Sequence, residues 1–203
     1  MPRENKEVRA WQRMLSGRRL DLINPSPVDI EIEDIAHGLS RVARWNGQTL
    51  GDHAFSVAQH CVLVEAVARE ITKNADEQWY LAALLHDSSE YVIGDMISPF
   101  KNALGFDYRD FEDRLQRAIH IRFGLPPILA PQIKKFIKRA DLIAAYLEAT
   151  QIAGFSEEES QRLFGPPPLM VKNWEVRPLS PNESKALFLD RYCQLSEVVE
   201  AAA

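Results

Sequence analysis

The chain has 203 residues, a net charge of −5, 46% hydrophobic residues and 26% charged residues. This length suits one domain with one sizeable core, and the composition excludes a largely disordered chain. The acidic balance offers no basic surface to a nucleic-acid polymer, whereas a small anionic substrate needs only a few local cations. We therefore expect a single domain over residues 1–203 that binds no nucleic-acid polymer.

The N-terminal segment and the cysteines bear on the compartment. Residues 1–7 are charged where a signal peptide needs an apolar stretch, and no uncharged apolar run approaches the ~20 residues of a membrane span. We expect a cytoplasmic protein that does not contact a membrane. Cys61 and Cys193 each lie on the apolar face of a predicted helix, which predicts two buried free thiols rather than a disulfide.

Apolar spacing predicts helices through most of the chain, with an extended connection over residues 18–29. Ser56 and Ser180 are suitable N-cap residues for two of the helices. A short acidic helical turn follows Gly154, and a short extended piece is expected at 174–179. The predicted helices span residues 4–15, 30–44, 56–72, 75–91, 107–123, 129–153 and 181–199. The fold class is all-α, a helical bundle with its core at about 20–153 and a small peripheral C-terminal layer.

One apolar run ends in a way that a simple core helix does not explain. Residues 80–85 are apolar apart from a tyrosine hydroxyl, and His86, Asp87 and Glu90 follow them closely. Burying a carboxylate beside an imidazole costs several kcal/mol unless a cation neutralises it. In a continuous helix His86 and Glu90 share one face, with Asp87 turned toward the same rim. We interpret His86-Asp87 as a metal-binding doublet.

Two further residues complete a candidate ligand set. His60 lies at the edge of the apolar stripe of helix 56–72, and Asp141 lies beside the stripe of helix 129–153. A lone histidine or aspartate in such a position is more often structural, so the doublet carries the argument. Two imidazoles and two carboxylates suit one divalent transition metal, Mn, Co, Zn, Fe or Ni, better than calcium. Such an ion leaves positions for water and a substrate oxygen.

These residues resemble the H…HD…D signature of the HD-domain metal-dependent phosphohydrolases. The segments similar to the bacterial 5′-deoxynucleotidase branch are Ser56–His60, His86–Glu90, Gly94–Lys101 and Arg44-Trp45. The stretch from Asp21 to Gly47 is more similar to a second branch, which includes phage dATP triphosphohydrolases. The matches cover about residues 20–150. They imply an HD-domain helical bundle and an enzyme that hydrolyses nucleotides with a divalent metal.

The resemblance also implies a role for individual residues. His60, His86, Asp87 and Asp141 would be the metal ligands. Glu90 and Asp95 would be the acids that activate the attacking water and protonate the leaving oxygen. The substrate-binding candidates are Arg44 for phosphate, Trp45 for the base or sugar, His37 and Lys101. Each has a structural alternative: a core hydrogen bond for His37, a helix cap for Asp95, solvation for Lys101. Glu90 is expected at a helix C-terminus, where the helix dipole opposes an acid.

The sequence is compatible with several functions. The first is a (deoxy)nucleotide phosphohydrolase, for which monophosphates and triphosphates are both suitable substrates; Arg18, Arg19 and Arg41 are candidates for holding a longer polyphosphate. The alternatives are hydrolysis of a signalling nucleotide and a non-catalytic HD-like domain that binds a nucleotide or a partner protein. The resemblance favours a homodimer. Its contact would use the apolar stripe of helix 181–199, unless that stripe only covers the core.

Overall fold

The computed structural model describes residues 10–95 and 106–202. Within these residues a small hairpin, β1 (Trp11–Arg13) and β2 (Arg19–Asp21), precedes eight helices. The helices are α1 (Ile32–Leu39), α2 (Val57–Ile71), α3 (Glu77–Leu84), α4 (Glu90–Ile93), α5 (Phe106–Arg122), α6 (Pro131–Gln151), α7 (Glu157–Phe164) and α8 (Pro181–Ala202). Short 3-10 turns occur at Pro27–Asp29 and Arg44–Gly47. The all-α prediction is confirmed.

The core is built around α2 and α6. Ser56 caps α2 by accepting a hydrogen bond from the Gln59 backbone N–H, as its sequence position predicted. The helix packs against α3, α6 and α8. The expected C-terminal layer is present, and it contributes Phe188 and Leu195 to the core, because both side chains are buried within the chain. Among the described helices, none combines the length and the apolar character that crossing a membrane requires.

The N-terminal helix prediction, residues 4–15, is wrong for its described part. Trp11–Arg13 pairs antiparallel with Arg19–Asp21, with Trp11 opposite Asp21. Gly17, at a φ of +88°, allows the chain to reverse between the strands. Of the hairpin, Met14 and Leu20 reach the core. The apolar spacing that suggested a helix therefore fits a hairpin that anchors only two side chains.

The helix predicted over residues 30–44 ends earlier, at Leu39. Ala43 instead forms an isolated bridge with Ser56, and the Arg44 N–H donates to the Phe55 carbonyl at 2.8 Å. Trp45 and Asn46 then adopt φ values of 55° and 51°, a conformation that non-glycine residues rarely hold without support. The segment thereby leaves the helix and runs beside the start of α2.

The helix predicted over residues 75–91 is broken at its functional end. α3 ends at Leu84, α4 begins at Glu90, and residues 85–89 form a turn that we call the HD turn. The Gln116 side chain explains the break. Its amide Nε2 donates to the Leu85 carbonyl at 2.7 Å and its Oε1 accepts from the Ser89 N–H at 3.1 Å. The amide thus stands between two groups that a continuous helix would bond directly.

Two smaller expectations concern residues 174–179 and the cysteines. Residues 174–179, expected as a short extended piece, lie outside the helices and strands, and side-chain amides hold their backbone. Gln151 bonds Trp174 and Val176, and Gln59 bonds Arg177 and Leu179. Cys61 and Cys193 are both free, as expected, but only Cys61 is buried. Cys193 is exposed because α8 turns Phe188 and Leu195 toward the core.

Candidate metal centre and active site

The fold brings the four predicted ligands together from three parts of the chain. His60 lies on α2, His86 and Asp87 lie in the HD turn, and Asp141 lies on α6; we call these four side chains the ligand cluster. His60 Nε2 is 3.3 Å from Asp141 Oδ1 and 3.6 Å from Asp87 Oδ2, and His86 Nε2 is 3.2 Å from Asp87 Oδ2. Ligands held about 2.1 Å from one ion lie about 3.0–3.4 Å apart. These three separations are close to that spacing, and one ligand atom from each of His60, His86 and Asp141 lies within 4.8 Å of the other two.

Hydrogen bonds fix both imidazole rings with Nε2 directed at the cluster. His60 Nδ1 lies 2.5 Å from Glu148 Oε1, and His86 Nδ1 lies 2.8 Å from the Ala83 carbonyl. Each Nδ1–H donates outward, the arrangement that metal-ligating histidines use. Both Nε2 atoms are buried and form no hydrogen bond with the described residues. A buried ring nitrogen left in this way fits coordination to a cation.

The charges of the cluster also favour a cation. Burial raises the pKa of Asp87 and Asp141, but the facing imidazoles outweigh burial and hold both pKa values below the usual range. Burial lowers the pKa of His86, yet the Asp87 charge raises it well above its ordinary value. Both carboxylates are therefore ionised at neutral pH. Their charge favours a cation between them and the imidazoles, and this cation can be either a proton or a metal ion.

Glu148 is a site residue that the sequence analysis missed. It is fully buried on α6, and besides His60 it binds the Trp45 indole N–H at 2.9 Å and Arg44 Nε at 3.4 Å through Oε2. Burial raises the pKa of Glu148, but the charges of His60 and Arg44 lower it by more than burial raises it. Glu148 is therefore anionic. The available signal was its position seven residues after Asp141, on the same face of one helix.

Arg44 and Trp45 each have further contacts besides the one with Glu148. Arg44 also lies 3.3 Å from Asp95 Oδ2, and burial of the guanidinium is outweighed by Glu148 and Asp95, so its pKa is raised. The Trp45 ring packs against Phe155 and Phe164, with ring centroids 5.5 and 6.1 Å away. These contacts support the rare backbone conformation of Trp45 and anchor its indole beside Glu148.

The two candidate acids lie at either end of α4. Glu90 is 2% exposed and begins α4 directly after the HD turn, so it does not end a long helix as the sequence analysis expected. Asp95 follows α4 and pairs with Arg44. Gly38 of α1 fixes the position of α4, because a Cβ at Gly38 would lie 2.7 Å from the Tyr91 carbonyl oxygen. α1 therefore positions the helix that carries Glu90.

The remaining substrate-binding candidates are His37 and Lys101. His37 is partly buried on α1, and its pKa is lowered by burial and by the charges of Arg41 and Lys185. Lys101 lies outside the described residues. Both assignments stay predictions.

The arginines considered for a longer polyphosphate have other partners. Arg18 pairs with Glu31 at 2.7 Å, Arg19 lies over the Trp11 ring at 4.4 Å, and Arg41 donates to the His37 carbonyl. None of these contacts involves the ligand cluster. The structure therefore gives no support to a role for these arginines at the site.

A cavity of about 350 Å³ opens beside the cluster, between α5 and α6. It is lined by His86, Asp87 and Asp141 of the ligand cluster and by the segment from Pro127 to Leu129. This volume lies in the ordinary range of small-molecule sites. The cluster is thus reached from a space large enough for a nucleotide-sized ligand.

Comparison with known proteins gives the family. The family model described as 5′-deoxynucleotidase YfbR-like matches residues 35–162, more than half of the chain. An uncharacterized protein of Rhodobacter capsulatus is 58% identical over 185 residues, 91% of this chain and 94% of its own length. The uncharacterized protein YfdR of Escherichia coli K12 is 32% identical over 174 residues, 86% of this chain and 89% of its own. The matched region contains every residue of the ligand cluster and Glu148, and the chain belongs to the YfbR-like 5′-deoxynucleotidase family.

Proposed function

We propose that the chain hydrolyses the 5′-phosphate ester of deoxynucleotides with one divalent transition metal held by His60, His86, Asp87 and Asp141. The observation that carries this proposal is the pair of buried Nε2 atoms that have no hydrogen bond and face the carboxylates of Asp87 and Asp141. Both carboxylates line a cavity. Family membership supports a hydrolase of the nucleotidase type. Mn, Co, Zn, Fe and Ni all suit this mixed set of nitrogen and oxygen ligands.

The reaction requires a water oxygen to bond to phosphorus while the bond between phosphorus and O5′ breaks. Glu90 accepts the proton of the attacking water, and a proton taken up from solvent reaches O5′ by way of Asp95, so that a monophosphate and water yield a nucleoside and inorganic phosphate. A divalent ion, when bound, supplies a more acidic water and polarises the phosphoryl oxygens. Arg44 places a permanent positive charge beside the transferred group, where negative charge develops in the transition state.

The fixed geometry around His60 serves this reaction by positioning. Glu148 holds the His60 ring through Nδ1, and Arg44 and the Trp45 indole hold Glu148 in turn. The residue assigned to phosphate and a predicted metal ligand are therefore joined through one buried carboxylate. Phosphoryl transfer to water depends mainly on such positioning and on cations near the developing charge.

The test is phosphate analysis on purified protein that has been stripped of metal and then supplied with Mn, Co or Zn. We expect inorganic phosphate from dAMP in the presence of metal and none after chelation. Replacement of Glu90 by glutamine is expected to retain the metal and lose turnover. Hydrolysis by Glu90→Gln at the wild-type rate would overturn its assignment. No product from any deoxynucleotide with any of the metals would overturn the proposed function in favour of a signalling nucleotide or a binding role.

A further inference from the structure

The cavity beside the ligand cluster has a cationic side. Arg117 on α5 and Lys134 and Lys138 on α6 line it, together with one acid outside the cluster, Asp113. The two other acids that line it, Asp87 and Asp141, belong to the ligand cluster, where a divalent cation would offset their charge. The remaining lining charge is therefore positive, so the cavity suits an anionic group.

The lysines follow a line along α6 that starts at the cluster. Lys134, Lys138 and Asp141 are spaced by four and three residues, which places them on one face of the helix. With a rise of about 1.5 Å per residue, Lys138 lies about 4.5 Å and Lys134 about 10 Å from Asp141 along the helix axis. This line of positive charge extends well beyond the position of a phosphate held at the cluster itself.

The cations in the cavity have few partners within the protein. Lys134 has no ion pair with any described residue, and Arg117 reaches Asp113 only at 3.9 Å. Lys138 lies 2.8 Å from Asp141 Oδ2, while Oδ1 of the same carboxylate faces His60. By contrast Arg69 and Arg191, elsewhere in the fold, each contact a buried carboxylate. Lys134 and Arg117 are thus available to a ligand that enters the cavity, whereas Lys138 borders it while paired with Asp141.

We propose that Arg117, Lys134 and Lys138 form a subsite for the phosphates of a nucleoside triphosphate that lie beyond the phosphate held at the ligand cluster. Arg44 already supplies a cation beside the cluster, so a monophosphate needs no further charge about 10 Å away. A triphosphate carries negative charge along such a line. The inference rests on the proposed function for the reaction, whereas binding of a polyphosphate at these residues can be measured without any turnover.

The first experiment is calorimetric titration of the metal-loaded protein with inorganic tripolyphosphate and, separately, with orthophosphate. Lys134→Gln and Arg117→Gln are each expected to lower the preference for tripolyphosphate over orthophosphate about tenfold, since one charge-assisted contact is lost. Lys73→Gln removes a 72%-exposed lysine from the turn after α2 and serves as the matched control. An unchanged preference in both cavity variants would overturn the proposal.

The second experiment compares kcat/KM for dATP and dAMP. The ratio of the two values is expected to fall about tenfold in Lys134→Gln and to stay constant in the Lys73→Gln control. Equal losses for both nucleotides would overturn the triphosphate subsite and leave the proposed hydrolase intact. If the wild-type protein hydrolyses neither nucleotide, the proposed function fails, and the titration alone decides whether the cavity binds polyphosphate.

Discussion

His60 and Glu65 are both buried polar side chains on helix α2, and their surroundings differ in one respect. Glu65 is 1% exposed, and both of its oxygens are bound: Arg191 donates at 2.6 and 2.7 Å and Arg69 at 3.1 Å. Arg69 also pairs with Glu77 at 2.7 Å. His60 is fully buried as well, but its Nε2 and that of His86 face carboxylates without a hydrogen bond.

The difference separates a structural cluster from a functional one. Around Glu65 the protein itself supplies the opposite charges, and the cluster joins α2, α3 and α8 with no need of a ligand. Around His60 the protein fixes both imidazole rings from outside the cluster and leaves their Nε2 atoms without a hydrogen bond. Burial and charge are similar in the two places; satisfaction of the hydrogen bonds is what differs.

Removal of a predicted ligand should have the largest effect. Asp141→Ala leaves three ligands and an incompletely neutralised site, so we expect metal content to fall to background and phosphate release to disappear. Elemental analysis after dialysis, together with phosphate release from dAMP, checks this. Glu157→Ala, an exposed acid at the start of α7, is the control and should behave like wild type. Full metal content in Asp141→Ala would exclude Asp141 as a ligand.

Replacement of Glu148 should have the second-largest effect, because this residue orients the predicted ligand His60 and is not itself a predicted ligand. Glu148→Gln keeps the size of the side chain and removes the charge that faces His60 Nδ1 and Arg44. Partners of this kind typically contribute 10–100-fold to metal affinity. We expect a decrease of about that size in a competition titration with a chelator. An unchanged affinity would show that the contact to His60 has only a structural role.

Replacement of Arg191 tests the structural role of the cluster around Glu65. Arg191→Met leaves buried Glu65 with Arg69 alone, and we expect a loss of about 2 kcal/mol in the free energy of unfolding, below the value for a wholly unpaired buried charge. Chemical denaturation measures this loss. Metal affinity and turnover at a temperature where the variant is folded should remain those of wild type. Reduced metal affinity in Arg191→Met would mean that the two clusters on α2 are coupled.

Part of this arrangement could be predicted from sequence because it depends on local signals. Ser56 and the apolar spacing after it marked α2, and the polar residues after an apolar run marked His86 and Asp87. The break at the HD turn could not be predicted, since it comes from Gln116, a side chain 31 residues beyond Leu85. Propensity describes the local chain, and here a distant amide replaced a helical hydrogen bond.

Glu148 illustrates a second limit. Its sequence neighbours, Leu147 and Ala149, indicate a buried position. Its role, however, follows from its partners His60 and Arg44, which lie 88 and 104 residues away in the sequence. The N-terminal hairpin shows the opposite case: a short stretch with few core residues was predicted as helix because its spacing fits both structures. Periodicity decides long segments well and short ones poorly.

Trp45 gives the smallest expected effect and distinguishes two roles for the residue. Trp45→Phe keeps an aromatic ring against Phe155 and Phe164 and removes the N–H donor to Glu148, while Arg44 still contacts that carboxylate. If the indole positions Glu148, metal affinity should fall less than tenfold, by less than in Glu148→Gln, with about 1 kcal/mol lost in stability and KM unchanged. The resemblance to nucleotidases implies instead that Trp45 packs on the base or sugar. That role predicts a higher KM for the nucleotide with metal affinity intact, so measuring KM and metal affinity on the same variant decides between a positioning residue and a substrate contact.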